Sequence, residues 1–181
     1  MSTLSEARRT GQLVRVRRDS IDPPDVYDAG YVLEISDALV LMQLVSDRLD
    51  LDGFDIVRTA DITAWDLDFP RRTVYQRALT AKGCTPGNPG RLELSSMRAL
   101  LQSVQERYPL VVVHRERVAP DECEVGRVRL STDATYALKW VSPDGQWEDD
   151  ERHYQYGDIT RVQFGNEYEQ TLALIAGLRP A

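Results

Sequence analysis

The sequence contains an internal repeat at a spacing of 96 to 97 residues. Residues 13–18 (LVRVRR) align with residues 110–115 (LVVVHR), and Gly30 aligns with Gly126. The triplet at residues 61–63, Asp-Ile-Thr, recurs at residues 158–160. Solenoid and propeller repeats have periods of about 20–50 residues, so this longer period indicates a duplicated domain. We therefore expect two units of one fold.

Proline and glycine mark the boundary between the two units. Residues 84–90 (CTPGNPG) are typical of a linker. We therefore predict one domain over residues 1–83 and a second over residues 91–181. The second begins with a predicted amphipathic helix, because its apolar residues recur at helical spacing. These residues are Met97, Leu100, Leu101 and Val104.

Each unit is expected to form about five short antiparallel strands after a short helix. Val14 and Val16 alternate with arginines, as in a half-buried strand, and the fully apolar run at 39–45 predicts a central one. We predict a fifth strand with Trp65, Leu67 and Phe69 on one face. Residues 73–82 and 167–176 fit either a helix or a strand, and the glycines that follow them favour helix. The predicted class is mainly β with short helices (α+β): two tandem small barrels.

A short helix followed by a five-strand meander resembles the Sm-like and SH3-like small barrels. The Gly30 to Asp37 and Gly126 to Asp133 spacings are similar to the Gly-to-Asp spacing of the Sm-like family, but one residue longer. The Arg-Gly of that family is absent, since Thr59 follows Arg58. The resemblance implies the fold and not the family's uridine pocket. The repeated pattern also resembles that of uncharacterised bacterial proteins.

Charge and composition narrow the classes of function. The net charge is −7, and residues 1–90 and 91–181 contribute −3 and −4. This balance disfavours nucleic acid and acidic membranes as partners, because phosphate contacts need clustered Lys and Arg. The sequence has no run of about 20 apolar residues and no signal-peptide pattern. We therefore expect a cytoplasmic protein, as a monomer or a homodimer.

Aromatic residues of the second unit form the candidate binding surface. Trp and Tyr anchor protein interfaces because they offer a large contact area at low entropy cost. We interpret Trp140 as a core residue. The candidate surface consists of Trp147, His153, Tyr154 and Tyr156.

Arginines on predicted strands form an alternative, basic surface for RNA or a nucleotide. These residues are Arg15, Arg17, Arg127 and Arg129. Alternating strand residues of this kind more often form a solvated face.

Other motifs are better explained by structure than by chemistry. The aspartates of residues 47–55 do not fit a calcium loop, since its first and twelfth positions would be Arg48 and Thr59. Asp61 and Asp158 fall at equivalent places in separate units, so we expect them to bond local backbone rather than form a catalytic pair. His153 follows an acidic run that is better read as a solvated hairpin tip than as a weak metal site. We predict no catalytic residue, metal or cofactor.

These observations predict a non-catalytic protein-interaction or scaffolding module whose partner is another protein. The alternative is an Sm-like protein that binds RNA or a nucleotide.

Overall fold

The computed structural model describes residues 2–23 and 26–177, which belong to two compact units, residues 1–90 and 91–181. The first unit contains helix α1 (Ser2–Thr10), strands β1 (Leu13–Arg17), β2 (Asp28–Ile35), β3 (Leu39–Leu44), β4 (Phe54–Arg58) and β5 (Ala64–Asp66), and helix α2 (Arg72–Lys82). The second contains α3 (Met97–Gln105), β6 (Val111–His114), β7 (Cys123–Leu130), β8 (Thr135–Val141), β9 (Trp147–Gln155), β10 (Arg161–Phe164) and α4 (Glu167–Ala176). A 3₁₀ turn precedes the last strand of each unit, at Thr59–Asp61 and Tyr156–Asp158.

The strands of each unit follow one another in an antiparallel meander, and the last strand returns to pair with the first. The order is β5-β1-β2-β3-β4 in the first unit and β10-β6-β7-β8-β9 in the second. The prediction of a mainly β class with short helices is confirmed. Within the described residues, no strand pairing joins β4 to β5 or β9 to β10.

Both segments of undecided structure are helices. Helix α2 ends at Gly83, which has a φ of 67°, and the Cys84 N–H donates to the Leu79 carbonyl at 2.9 Å, as in a Schellman cap. Helix α4 begins at Asn166, which forms a capping box with Glu169. The predicted fifth strand is shorter than expected: β5 ends at Asp66.

The apolar side chains at and after β5 pack in two different clusters. Trp65 and Leu67 pack on the cluster that contains Val14 and Val40, whereas Phe69 packs in a second cluster with Leu13. Phe69 therefore lies outside the strand, and its predicted common face with Trp65 is wrong.

In the second unit, the four predicted apolar residues of α3 are buried, and Ser96 caps the helix by accepting from the Ala99 N–H at 3.2 Å.

Gly30 and Gly126 occupy equivalent places where two strands approach closely. A Cβ added at Gly30 would lie 2.3 Å from the Gln43 carbonyl oxygen, and one at Gly126 would lie 2.1 Å from the Lys139 carbonyl oxygen. Gly30 pairs with Leu44, and Gly126 pairs with Trp140. The repeat therefore preserves a glycine because the opposing backbone leaves no space for a side chain.

Replacing Gly126 by alanine is expected to destabilise the second unit by about 2 kcal/mol or more, because a backbone carbonyl cannot move aside as a flexible side chain does. The measurement is urea unfolding followed by circular dichroism. Gly157→Ala is the matched control: an added Cβ meets nothing within 4 Å, and Ala60 holds the equivalent place in the first unit. Equal losses for the two variants would contradict the close-approach account.

Candidate functional site

Glu124 is a buried carboxylate at the centre of a charged cluster in the second unit. Only 4% of Glu124 is exposed. Its carboxylate accepts from Arg152 at 3.0 Å, from Arg115 at 3.4 Å and from the Tyr154 hydroxyl. The Arg115 guanidinium also lies 4.0 Å from the centre of the Tyr154 ring, and that of Arg152 lies 4.7 Å from the Trp140 ring. Tyr154 therefore belongs to a network of hydrogen bonds and ring contacts within the second unit.

The first unit has a related cluster at equivalent residues. Arg18 aligns with Arg115 and is 1% exposed. Its guanidinium binds both carboxylate oxygens of Asp22, at 2.9 and 3.1 Å, and lies 4.0 Å from Asp28. Asp28 and Glu124 each stand two residues before the glycine of close approach. The duplication therefore includes an arginine with an acidic partner as well as the backbone, buried at Arg18 and partly exposed at Arg115.

Tyr136 and Tyr156 extend the second cluster into the core. Tyr136 is buried between Tyr154, at 5.6 Å between ring centres, and Tyr156, at 5.4 Å. Tyr156 is buried by this stacking, so its predicted place on an exposed binding surface is wrong. Burial raises the pKa of the Tyr136 hydroxyl, which has no hydrogen-bond acceptor among the described residues.

His153 and Trp147 lie elsewhere on the same strand. His153 is exposed and pairs with Ala137, a neighbour with no charge to engage the imidazole. Trp147 is half-buried at the start of β9 and packs against Leu172 and its apolar neighbours. Its indole N–H is buried and has no acceptor among the described residues. The four predicted residues therefore do not form one surface.

Trp147 lines a cavity of about 270 Å³ in the second unit. The lining residues are mostly apolar: Pro109, Leu110, Arg127, Trp147, Ala173, Leu174 and Gly177. Arg127 is the one charged residue of this lining. Its side chain is exposed and makes no ion pair with any residue in the described ranges. The cavity thus combines an apolar wall with one exposed guanidinium, that of Arg127.

Helix α4 presents exposed apolar side chains beside this cavity. Leu174 is 83% exposed, Ile175 is 65% exposed and Tyr168 is 53% exposed. We call these three residues the α4 face. Tyr168 and Ile175 are seven residues apart, which places them on one side of the helix, and Leu174 also lines the cavity. Isolated exposed apolar residues are ordinary, but a group next to an apolar cavity is typical of an interaction site.

Three of the four arginines of the alternative basic surface have carboxylate partners. Arg15 binds Asp66 at 2.6 Å and lies 5.0 Å from the centre of the Tyr27 ring. Arg129 binds Glu151 at 2.6 Å. Arg17 lies 3.8 Å from Asp19. Neutralisation by neighbouring acids reduces the positive potential that RNA would need.

The repeated Asp-Ile-Thr triplets stabilise the chain where the first strand of each unit ends. The Thr63 hydroxyl donates to the Arg17 carbonyl at 3.1 Å and accepts from the Asp19 N–H at 3.0 Å. The Thr160 hydroxyl makes the equivalent bonds, to the His114 carbonyl at 3.1 Å and from the Glu116 N–H at 3.0 Å. The threonine of each triplet therefore has a structural role.

Sequence reasoning missed Glu124, Arg115 and the α4 face. A signal for Glu124 was present, because it shares the strand phase of Val128 and so points to the same side of the sheet. Arg115 was detectable as the aligned partner of Arg18. The α4 face was hidden because residues 167–176 fitted two kinds of secondary structure.

Comparison with known proteins adds no family to this description. No protein-family model, curated protein or solved structure matches the chain. In the described ranges, no helix has the length and apolar composition to span a membrane. The same residues contain no group of three or more His, Cys, Asp or Glu arranged to hold a metal ion.

Removing the Glu124 carboxylate is expected to cost about 3 kcal/mol of unfolding free energy, because Glu124→Gln leaves Arg115, whose side chain is only 13% exposed, without its counter-charge. Glu151→Gln is the control. It removes a shorter ion pair with Arg129, whose side chain is 65% exposed, so the expected cost is below about 1 kcal/mol. Chemical denaturation measures both. A smaller loss for Glu124→Gln than for Glu151→Gln would contradict the role of burial.

Tyr136→Phe and Tyr154→Phe are expected to change stability in opposite directions. The first removes a buried hydroxyl without a partner and should stabilise by about 1 kcal/mol, whereas the second removes a bond to a carboxylate and should cost about 1–3 kcal/mol. Urea denaturation at pH 7 measures both. A loss of stability in Tyr136→Phe would show that its hydroxyl has a partner.

The unfolding free energy is expected to fall above pH 10, because tyrosine hydroxyls lose their protons in the unfolded chain while burial keeps that of Tyr136 protonated in the folded one. Burial raises the folded-state pKa of Tyr136 above the unfolded value of about 10, so its contribution is intact below pH 10 and decreases as the pH rises further. Tyr136→Phe should reduce this alkaline loss. Denaturation between pH 8 and 11 measures it, and an unchanged pH slope in the variant would contradict the assignment.

Proposed function

We propose that this protein is a non-catalytic protein-interaction or scaffolding module, and that its second unit contains the docking surface. The observation that carries the proposal is the α4 face, Tyr168, Leu174 and Ile175, next to the cavity lined by Trp147. A protein partner is favoured because burying exposed apolar side chains against other apolar side chains contributes favourable binding free energy.

We also propose that the two units are small barrels of the SH3-like or Sm-like kind. The support is the strand order, in which a meander of four strands is followed by a fifth that pairs with the first. The helix before the first strand, α1 or α3, agrees with the same family. Whether the units are small barrels is a question of fold alone. The proposed function depends on the surface of the second unit.

The alternative, RNA or nucleotide binding by the arginine-bearing strands, has less support. Arg15 and Arg129 are held in ion pairs at 2.6 Å, and the protein carries a net charge of −7. Recovery of RNA that dissociates at moderate salt would support this alternative over the proposal.

Leu174→Glu is expected to reduce recovery of the partner by about tenfold or more, as for a central interface residue. The measurement is a pull-down with the tagged full-length protein from nuclease-treated native lysate, quantified against wild type. The variant should retain its stability to within about 0.5 kcal/mol, because residue 174 is exposed.

Val118→Glu is the matched control for this experiment. Val118 is an exposed apolar residue of the same unit, at 61%, and lies in the turn after β6 rather than on α4. The proposal requires a protein that both wild type and Val118→Glu retain and Leu174→Glu loses. Equal retention by all three proteins would contradict it.

A further inference from the structure

The first unit covers one side of β3 with part of its own chain, the segment at residues 84–87 that follows α2. The Gly87 N–H donates to the side-chain carbonyl oxygen of Gln43 at 2.7 Å. A Cβ built on Gly87 would lie 3.4 Å from the Phe54 ring and 3.5 Å from the Gln43 amide nitrogen. Gln43 is only 6% exposed. This side of the first unit is therefore occupied by a peptide segment of the same chain.

The repeat replaces two neutral residues of this side by two cations in the second unit. The glycines of close approach align the units, so Lys139 takes the place of Gln43 and Arg127 takes the place of Tyr31. Tyr31 pairs with Gln43, and Arg127 pairs with Lys139. Directly opposite residues of an antiparallel pair point to the same side of the sheet. The side that is covered in the first unit thus carries two adjacent positive charges in the second.

These two cations are accessible and have no carboxylate partner in the described part of the chain. Arg127 is exposed and Lys139 is half-exposed. The Lys139 ammonium donates to the backbone carbonyl of Asp149 at 2.6 Å, which leaves its charge unneutralised. Arg129, on the same side of β7, instead binds Glu151 at 2.6 Å. Like charges directly opposite each other destabilise a sheet, so a bound anion would relieve this repulsion.

We infer that the side of the second unit with Arg127 and Lys139 binds an acidic segment of the partner protein, in the place that residues 84–87 occupy in the first unit. Gln43 accepts a backbone N–H from its segment, whereas lysine and arginine side chains only donate. The occupant of the second unit must therefore supply acceptors, and carboxylates make the strongest hydrogen bonds to cations.

The inference rests on the proposed function, because it specifies which part of the partner lies beside the α4 face. Arg127 and Leu174 line the same cavity, so one partner can contact the apolar helix and the two cations together.

The test compares two synthetic peptides that differ only in charge. Each is N-terminally fluorescein-labelled, ends in an amide and has a Gly-Ser spacer, followed by Leu-Pro-Glu-Glu-Val in one and Leu-Pro-Gln-Gln-Val in the other. Fluorescence anisotropy with the full-length protein at low ionic strength should show the glutamate peptide binding about tenfold or more tightly. The reason is that its carboxylates form charge-assisted hydrogen bonds that the amides cannot.

Two variants that introduce the residues of the first unit assign the site. Lys139→Gln and Arg127→Tyr should each weaken binding of the glutamate peptide by about fivefold or more and leave binding of the glutamine peptide unchanged. Arg77→Gln is the matched control, because it removes the charge of an exposed arginine of α2 that also lacks an ion-pair partner among the described residues. The control should bind as wild type does. An equal loss in Arg77→Gln would show attraction to the protein's charge in general and overturn the site.

Other outcomes separate this inference from the proposed function. Equal binding of the two peptides, or no binding of either, overturns recognition of an acidic segment. Binding of a uridine oligonucleotide but of neither peptide would assign the two cations to phosphate instead. In the pull-down, the double variant Lys139→Gln with Arg127→Tyr should lose the protein that Leu174→Glu loses. If the double variant retains that protein, the docking surface stands and the acidic-segment inference fails.

Discussion

The close approach of two strands at a glycine is the constraint on which each unit depends. Gly30 and Gly126 face a backbone carbonyl that leaves no space for a Cβ, and this fixes how β2 pairs with β3 and β7 with β8. Because side chains alternate along a strand, the register decides which ones face the core. Glu124, two residues before Gly126, is therefore placed inside together with Val128.

The charged residues that this register brings together have different partners in the two units. Arg18 is held mainly by Asp22, a residue of the loop after β1. Arg115 instead shares Glu124 with Arg152 and Tyr154 from β9. Burying ions is costly unless every charge is paired and hydrogen-bonded, so the second unit engages two residues of β9 to complete the network. The Tyr154 hydroxyl is part of this network, and its side chain is partly exposed.

Much of the fold was predictable from the sequence because it depends on periodic patterns. The alternation at β1, the apolar run at β3 and the helical spacing in α3 each correspond to the predicted element. Less of the site was predictable. Tyrosine is a residue type that is common in interfaces, and only the stacking of Tyr156 on Tyr136, from another strand, shows that Tyr156 is buried.

The undecided segments illustrate the same limit. In α4 only Glu169 and Leu172 are buried, so the apolar pattern of the sequence did not separate the packed side from the exposed one. The α4 face could be recognised only once the helix was placed against its own core. Phe69 was misassigned for a related reason, since it packs in one apolar cluster whereas Trp65 and Leu67 pack in another.

The two units differ in the helix that follows the last strand. Helix α2 has the sequence RTVYQRALTAK, with three basic residues, whereas α4 has the sequence EYEQTLALIA and two largely exposed aliphatic side chains near its end. The proposed docking surface lies on the second unit, and the first has no equivalent on α2. A photo-crosslinking amino acid at position 174, compared with one at the exposed Val74 of α2, tests this claim most directly in cells. We expect a protein adduct at position 174 and none at position 74. Equal adducts at both positions, or adducts with RNA, would contradict it.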